Sequence, residues 1–180
     1  MGNRNFWEQK FLSRPDSQLP PETTLIEDAA FFKEKGSVLD LACGDGRNAL
    51  FLAESGFEVT AVDFSEAALS RLKRFVEKER LTVYTQQMDL CCEENFDSLG
   101  KFDMIVCNHY RLLSKTAMQL KKHLTKNGVL WINGFAECPQ DNADTFFGNM
   151  GQIVCKLKTI EPNARIFVVT PQLRGDACDK

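Results

Sequence analysis

The spacing of apolar and polar positions divides the chain into alternating elements. VLDLA (38–42) is an almost unbroken apolar run, as expected of a strand buried on both faces. From 45 to 55 the period lengthens to that of a helix, with Leu50, Leu52 and Ala53 set to face a sheet. Gly56 stands where a left-handed cap would end it. FEVTAVD (57–63) is a second strand. Ser65 is a natural N-cap and Glu66 complements the dipole of a helix running to about Glu79, with Ala68, Leu69, Leu72, Phe75 and Val76 inward. LTVYTQQ and FDMIVCN read as the third and fourth strands.

The pattern then predicts a helix over 114–124, with Ala117, Leu120 and Leu124 on one stripe and Lys121, Lys122 and His123 at its cation-favouring end. Asn127-Gly128 turns the chain into GVLWINGF, a fifth strand. Near the end, QIVCKLKTI and ARIFVVTP flank Glu161-Pro162-Asn163 and predict an antiparallel hairpin. Before all this, NFWEQKF and a segment over 22–35 read as helices separated by the helix-breaking RPDSQLPP. Alternation of strand and helix implies an α/β fold with a doubly wound, mostly parallel sheet and helices on both faces. The expected organisation is one domain: a helical lid or docking segment (1–36), a core (37–135) and a hairpin region (136–180).

Composition narrows the partners. The 180 residues are 43% apolar and 26% charged with a net charge of −3, and no basic stripe suits a polyanion. A small molecule is therefore the expected partner, and nucleic acid is not. The seven cysteines lack metal-ligand spacing, so no metal is expected. No apolar run approaches the ~20 residues needed to span a bilayer. A reduced, cytoplasmic protein, monomeric or homodimeric and without membrane attachment, is the expectation.

The candidate chemistry lies at 38–63. ACGDGRN (42–48) occupies the turn after the first strand, where doubly wound sheets bind ligands. Gly44 and Gly46 allow close approach of backbone, and the next helix offers unpaired N–H groups. Asp63 ends the second strand and can accept from two ribose hydroxyls. This also fits a dinucleotide fingerprint, with Ala49 in third place. Asp40 separates the two readings: a carboxylate under the turn suits an α-amino group and gains a pyrophosphate nothing. Asp89 after the third strand is placed to meet an adenine amino group, with Leu90 against the ring. A second domain to hold a hydride acceptor is not expected within these 180 residues.

LDLACGDGRNALFLAESGFEVTAVDFSEAAL closely resembles the first two motifs of class I S-adenosylmethionine-dependent methyltransferases, and its GRN-x-x-x-L-A-x-x-G form resembles the tellurite-resistance and small-molecule group. The resemblance runs from about Trp7 to Gly134 and implies a Rossmann-like, seven-stranded sheet whose antiparallel strand is the closing hairpin. It implies S-adenosyl-L-methionine as cofactor and methyl transfer as activity. Asp40, Ala42, Gly44 and Gly46 would contact the methionine part, with Cys43, Arg47 and Asn48 in the same turn and helix start. Asp63 and Phe64 would hold ribose and adenine, Asp89 and Leu90 would line the adenine, and Cys107 with Asn108 would lie beneath the sulfonium. Ala42 replaces a commoner glycine, and NHYR replaces the Asn-Pro-Pro-aromatic run of base-amine methyltransferases.

His109 and Tyr110 follow the fourth strand, where an acceptor would enter. Histidine has the pKa range to take a proton from a thiol, amine or hydroxyl, although the pair could equally shape the pocket. Arg47 could meet the cofactor carboxylate or solvent. Trp7 and Phe11 could cover the cofactor or dock their helix. Cys91-Cys92 suggests redox or metalloid chemistry less strongly than two surface thiols. A small-molecule methyltransferase is the leading reading. An RNA or protein methyltransferase, a non-catalytic binding domain and a dinucleotide oxidoreductase are its rivals.

Overall fold

Strand β1 (Ser37–Leu41) is the centre of the sheet because its side chains are apolar toward both faces. Val38 joins one core cluster, and Leu39 and Leu41 join the other. The same period of two recurs in β4 (Phe102–Asn108) and β5 (Leu124–Asn133). Ile105, Cys107, Leu130 and Ile132 face one way, and Met104, Val106, Val129 and Trp131 the other. The computed structural model describes residues 3–29, 36–110, 119–133 and 165–169. Among them six strands form one sheet in the order β3-β2-β1-β4-β5-β6, where β2 is Glu58–Asp63, β3 Val83–Gln87 and β6 Arg165–Val169. The order reverses between β1 and β4, which puts a topological switch point at their carboxyl ends.

The helices follow from local signals. Helix α1 (Arg4–Ser13) starts at Asn3, whose side chain accepts from Phe6 N at 2.9 Å. Helix α2 spans Thr23–Asp28 and α3 spans Arg47–Glu54. Gly56 (φ +88°) ends the turn after α3, its N–H meeting Ala53 O at 2.9 Å. Helix α4 (Glu66–Glu79) is capped by Ser65, whose hydroxyl accepts from Ala68 N at 3.1 Å. Helices α2, α3 and α4 bury Leu25, Leu50, Leu52, Leu72 and Phe75 on the Val38 face of the sheet. The Leu39 face is closed by Phe96 of a 3-10 turn (Glu93–Ser98), Met88, Leu90 and Leu120. Gln119 and Leu120 are helical, and Leu120 is the helical residue in that cluster among the described residues.

Several expectations change. The described sheet is wholly parallel. Arg165–Val169, within ARIFVVTP, forms β6, which pairs in parallel with β5. The other hairpin run (152–160) lies outside the described residues, so a seventh strand and a hairpin are not seen among them. Most of the predicted 114–124 helix lies outside them too. Its end departs from expectation, because Lys121–His123 is a 3-10 turn and Leu124 already belongs to β5, paired with Phe102. His123 is buried, with Nδ1 2.9 Å from Gly100 O. It fills the core rim, not a solvated helix end.

At the amino ends of the central strands, Asp103 of β4 accepts from Ser37 N and Oγ (both 3.0 Å) in β1 and from Thr125 Oγ1 (2.9 Å) in β5. The Ser37 N–H, above all, holds its carboxyl below the ordinary range.

Gly46 has a packing role. It sits at φ +85°, and an added Cβ would lie 2.2 Å from Leu72 Cδ1. Gly46→Ala is expected to destabilise the fold by about 2 kcal/mol from left-handed strain and overpacking, measured by urea denaturation.

Candidate functional site

Three chain segments meet at the switch point: the 42–46 turn after β1, the end of β2, and the 108–110 turn after β4. Two non-glycine residues there are left-handed, Ala42 (φ +51°) and His109 (φ +52°). The glycine commoner at position 42 would carry no such strain. Asp63, at the end of β2, is turned back onto the first of these segments. Its Oδ2 accepts from Gly44 N and its Oδ1 from Ser65 N, both at 2.8 Å. Burial raises its pKa, and those two N–H groups partly reverse the rise.

Asp40 lies beneath the same turn and is 1% exposed. Burial, helped by the Asp63 charge, pushes its pKa up to about 7. Its Oδ2 has no hydrogen-bond partner among the described residues. A buried acceptor lining a cavity without a donor is a site built for a donor from outside the chain.

The cavity holds about 490 Å³, within the range of small-molecule pockets. Of the residues singled out from the sequence, it brings together Asp40, Ala42, Cys43, Gly44, Arg47, Asn48, Asp63, Phe64, Asp89, Leu90, Asn108, His109 and Tyr110. Gly46 and Cys107 stand behind its wall. Cys107 is fully buried with its side chain on the Leu39 face, because the period of two sends it away from the face of Val106. Burial raises the thiols of Cys107 and Cys43, with the Asp40 charge adding to it, so neither is a thiolate near neutrality. Burial likewise raises the Tyr110 phenol, which is then a hydrogen-bond donor and not a base. Cys91 and Cys92 are exposed, and the described residues contain no cluster suited to a metal.

The N-terminal segment forms the outer wall. Phe11 is buried against Ala67 and Ala68 with Trp7 packed beside it, and both line the cavity. The same two side chains thus dock α1 and wall the cavity. Several charged contacts made by this segment were not visible in the sequence. Arg14 grips Asp45 in the glycine turn through both carboxylate oxygens (2.8 and 2.9 Å), and buried Arg71 of α4 joins from Nε at 3.2 Å. Arg71 also donates to the carbonyls of Arg14 and Pro15.

Glu22, just before α2, accepts from Arg47 Nη2 at 2.5 Å and faces His109 Nε2 at 3.0 Å. Its own N–H donates to Asn48 Oδ1 at 2.9 Å, so Asn48 holds the α2 entrance and is not free for a ligand at that oxygen. Arg47 is therefore paired with a carboxylate of this chain. Asp89 pairs with Arg4 and accepts from Cys91 N at 2.9 Å. Apart from the Asp89–Cys91 contact, these partners lie 25 to 87 positions apart, and no local pattern announces them.

A sequence profile of the methyltransferase domain matches residues 38–128, half of the chain and all of this switch point. The chain belongs to the methyltransferase domain family. This methyltransferase domain is similar to YqeM of Bacillus subtilis (strain 168), with 44% identity over 77 residues, 43% of this chain and 30% of that one. It is also similar to the probable S-adenosyl-L-methionine-dependent methyltransferase TehB of Haemophilus influenzae (strain ATCC 51907 / DSM 11121 / KW20 / Rd), at 30% identity over 57% of this chain and 37% of TehB. A third relative is ribosomal RNA small subunit methyltransferase C of Pasteurella multocida (strain Pm70), 31% identical over 64% of this chain and 38% of the relative. The crystal structure of TehB from Haemophilus influenzae superposes with a TM-score of 0.57 at 23% identity, covering 79% of this chain and 55% of that one, and so shares the fold. The methyltransferase domain spans less than two fifths of the length of each of these three relatives. No helix among its described residues is long and apolar enough to cross a membrane.

Proposed function

We propose that the chain is a single methyltransferase domain that binds S-adenosyl-L-methionine in this cavity and methylates a small-molecule acceptor. The observation that carries the reading is the pair of buried carboxylates, Asp63 folded onto the Gly44 turn and Asp40 beneath it with an unpartnered oxygen. A dinucleotide would bring a pyrophosphate to that turn, and Asp40 would repel it. A ligand with an ammonium group and a ribose suits both acids.

In this reading Asp40 takes the ammonium, and the lone pairs Asp63 keeps free of backbone accept from the ribose. Phe64, Asp89 and Leu90 bound the adenine. Ala42, Cys43 and Gly44 shape the methionine end, with Gly46 and Cys107 supporting them from behind. When bound, the cofactor supplies an electrophilic methyl group on a sulfonium. The chain's part is to bind, align and exclude water, which Trp7, Phe11 and Tyr110 do by closing the cavity walls. Glu22 holds the His109 ring through Nε2, so His109 can receive a proton if the acceptor arrives protonated. Arg47, charge-matched by Glu22, keeps that carboxylate in place. A net charge of −3 supports a small molecule over RNA.

Calorimetric titration with S-adenosylhomocysteine and with NAD tests the reading. Micromolar-range binding of the first and none of the second is expected. Preference for NAD would replace the reading with a dinucleotide site.

A further inference from the structure

The guanidinium of Arg4 lies between two residues assigned above to the adenine. It sits 5.1 Å from the centroid of the Phe64 ring, and its Nη1 donates to Asp89 Oδ2. A flat cation with N–H donors on its edge, over an aromatic face and paired with a carboxylate, presents the same shape and donors as the amino edge of a purine. We propose that Arg4 is an internal occupant of the adenine subsite, filling it in the ligand-free protein and swinging out when an adenosyl ligand binds. The inference rests on the cofactor reading above.

The rest of α1 can stay in place while this happens. Phe11 is buried near the helix end, Glu8 Oε1 accepts from Ala67 N at 3.0 Å, and Arg14 is held by Asp45. Arg4 begins the helix and its side chain is 65% exposed, so rotation of one long side chain frees the subsite. Because the pair is exposed it is weak, and it sets a modest threshold for entry, not a block. The bound ligand would see an affinity reduced by the fraction of molecules in which Arg4 is seated.

The test is calorimetric titration of the full chain and of Arg4→Gln with S-adenosylhomocysteine, at low salt and at about 0.15 M. Arg4→Gln is expected to bind about two- to fivefold more tightly at low salt, with the difference shrinking as salt screens the wild-type pair. Arg4→Lys, which keeps the charge and loses the flat face, should fall between. Equal or weaker binding by Arg4→Gln overturns the inference and leaves the cofactor reading standing. Failure of wild type and variant alike to bind removes the cofactor reading, and this inference with it.

Discussion

Asp63→Asn is expected to weaken S-adenosylhomocysteine binding by ~100-fold or more and to lower the melting temperature by roughly 5–10 °C. The carboxylate serves two masters. Its oxygens each accept a backbone N–H, from Gly44 and from Ser65, at 2.8 Å, and those bonds fix the glycine turn and the start of α4. Asparagine has the same shape but one acceptor, so its amide must turn an N–H toward one of the two N–H groups. Charge-assisted bonds of this kind contribute about 1.5–3 kcal/mol each, and one is lost from the fold before any ligand arrives. The second loss is the anion facing the ribose. Calorimetry measures the affinity and a thermal melt the stability. Unchanged affinity in a folded variant would show that the ligand does not use this acid.

Asp40→Asn should do the reverse to the fold. A buried carboxyl whose pKa rises from 3.8 to about 7 binds a proton more readily folded than unfolded. Its stabilising contribution is thus fully present below about pH 4 and is lost as pH rises through 7. Asparagine mimics the protonated acid at every pH. The stability difference between variant and wild type is expected to be near zero at pH 4 and to grow to on the order of 3–4 kcal/mol in the variant's favour by pH 8, read by urea denaturation across that range. Taking the difference cancels the opposite trend of surface acids such as Asp103, whose pKa is lowered.

Binding should run the other way. A cationic ligand group beside Asp40 favours its ionised form, so wild-type affinity for S-adenosylhomocysteine should rise toward pH 7 and level off above, with proton release visible in buffers of different ionisation enthalpy. Asp40→Asn should bind weakly and without that pH dependence. A strained carboxylate retained for its ligand is the physical content of this pair of outcomes. A variant that gains no stability at pH 8 would mean that folding does not raise the Asp40 pKa.

Legibility in the sequence followed the range of the interactions. The strand–turn–helix–strand unit from 38 to 63 rests on local signals, namely continuous apolar strands, Gly56 as terminator and Ser65 as cap, and each is seen in the structure. Asp63 was legible because the end of a strand fixes where its side chain can go. Leu124 was misplaced because a helical stripe and a strand edge both ask for leucine there, and pairing with Phe102 decided it. At Gly46 the structure adds a packing reason that the sequence does not carry, since an added Cβ would meet Leu72 of α4. Glu22, Arg14 and Arg4 find their partners only after the chain has folded back on itself, so periodicity carries no trace of them.

The Ser37–Asp103–Thr125 cluster fastens β1, β4 and β5 at the end of the sheet remote from the cavity. The two rims of the domain are thereby unequal: one is stitched strand to strand, and the other is held by side chains that reach its turns from the helices. Register among β1, β4 and β5 is thus expected to be set from the far rim, independently of the segments that follow their carboxyl ends.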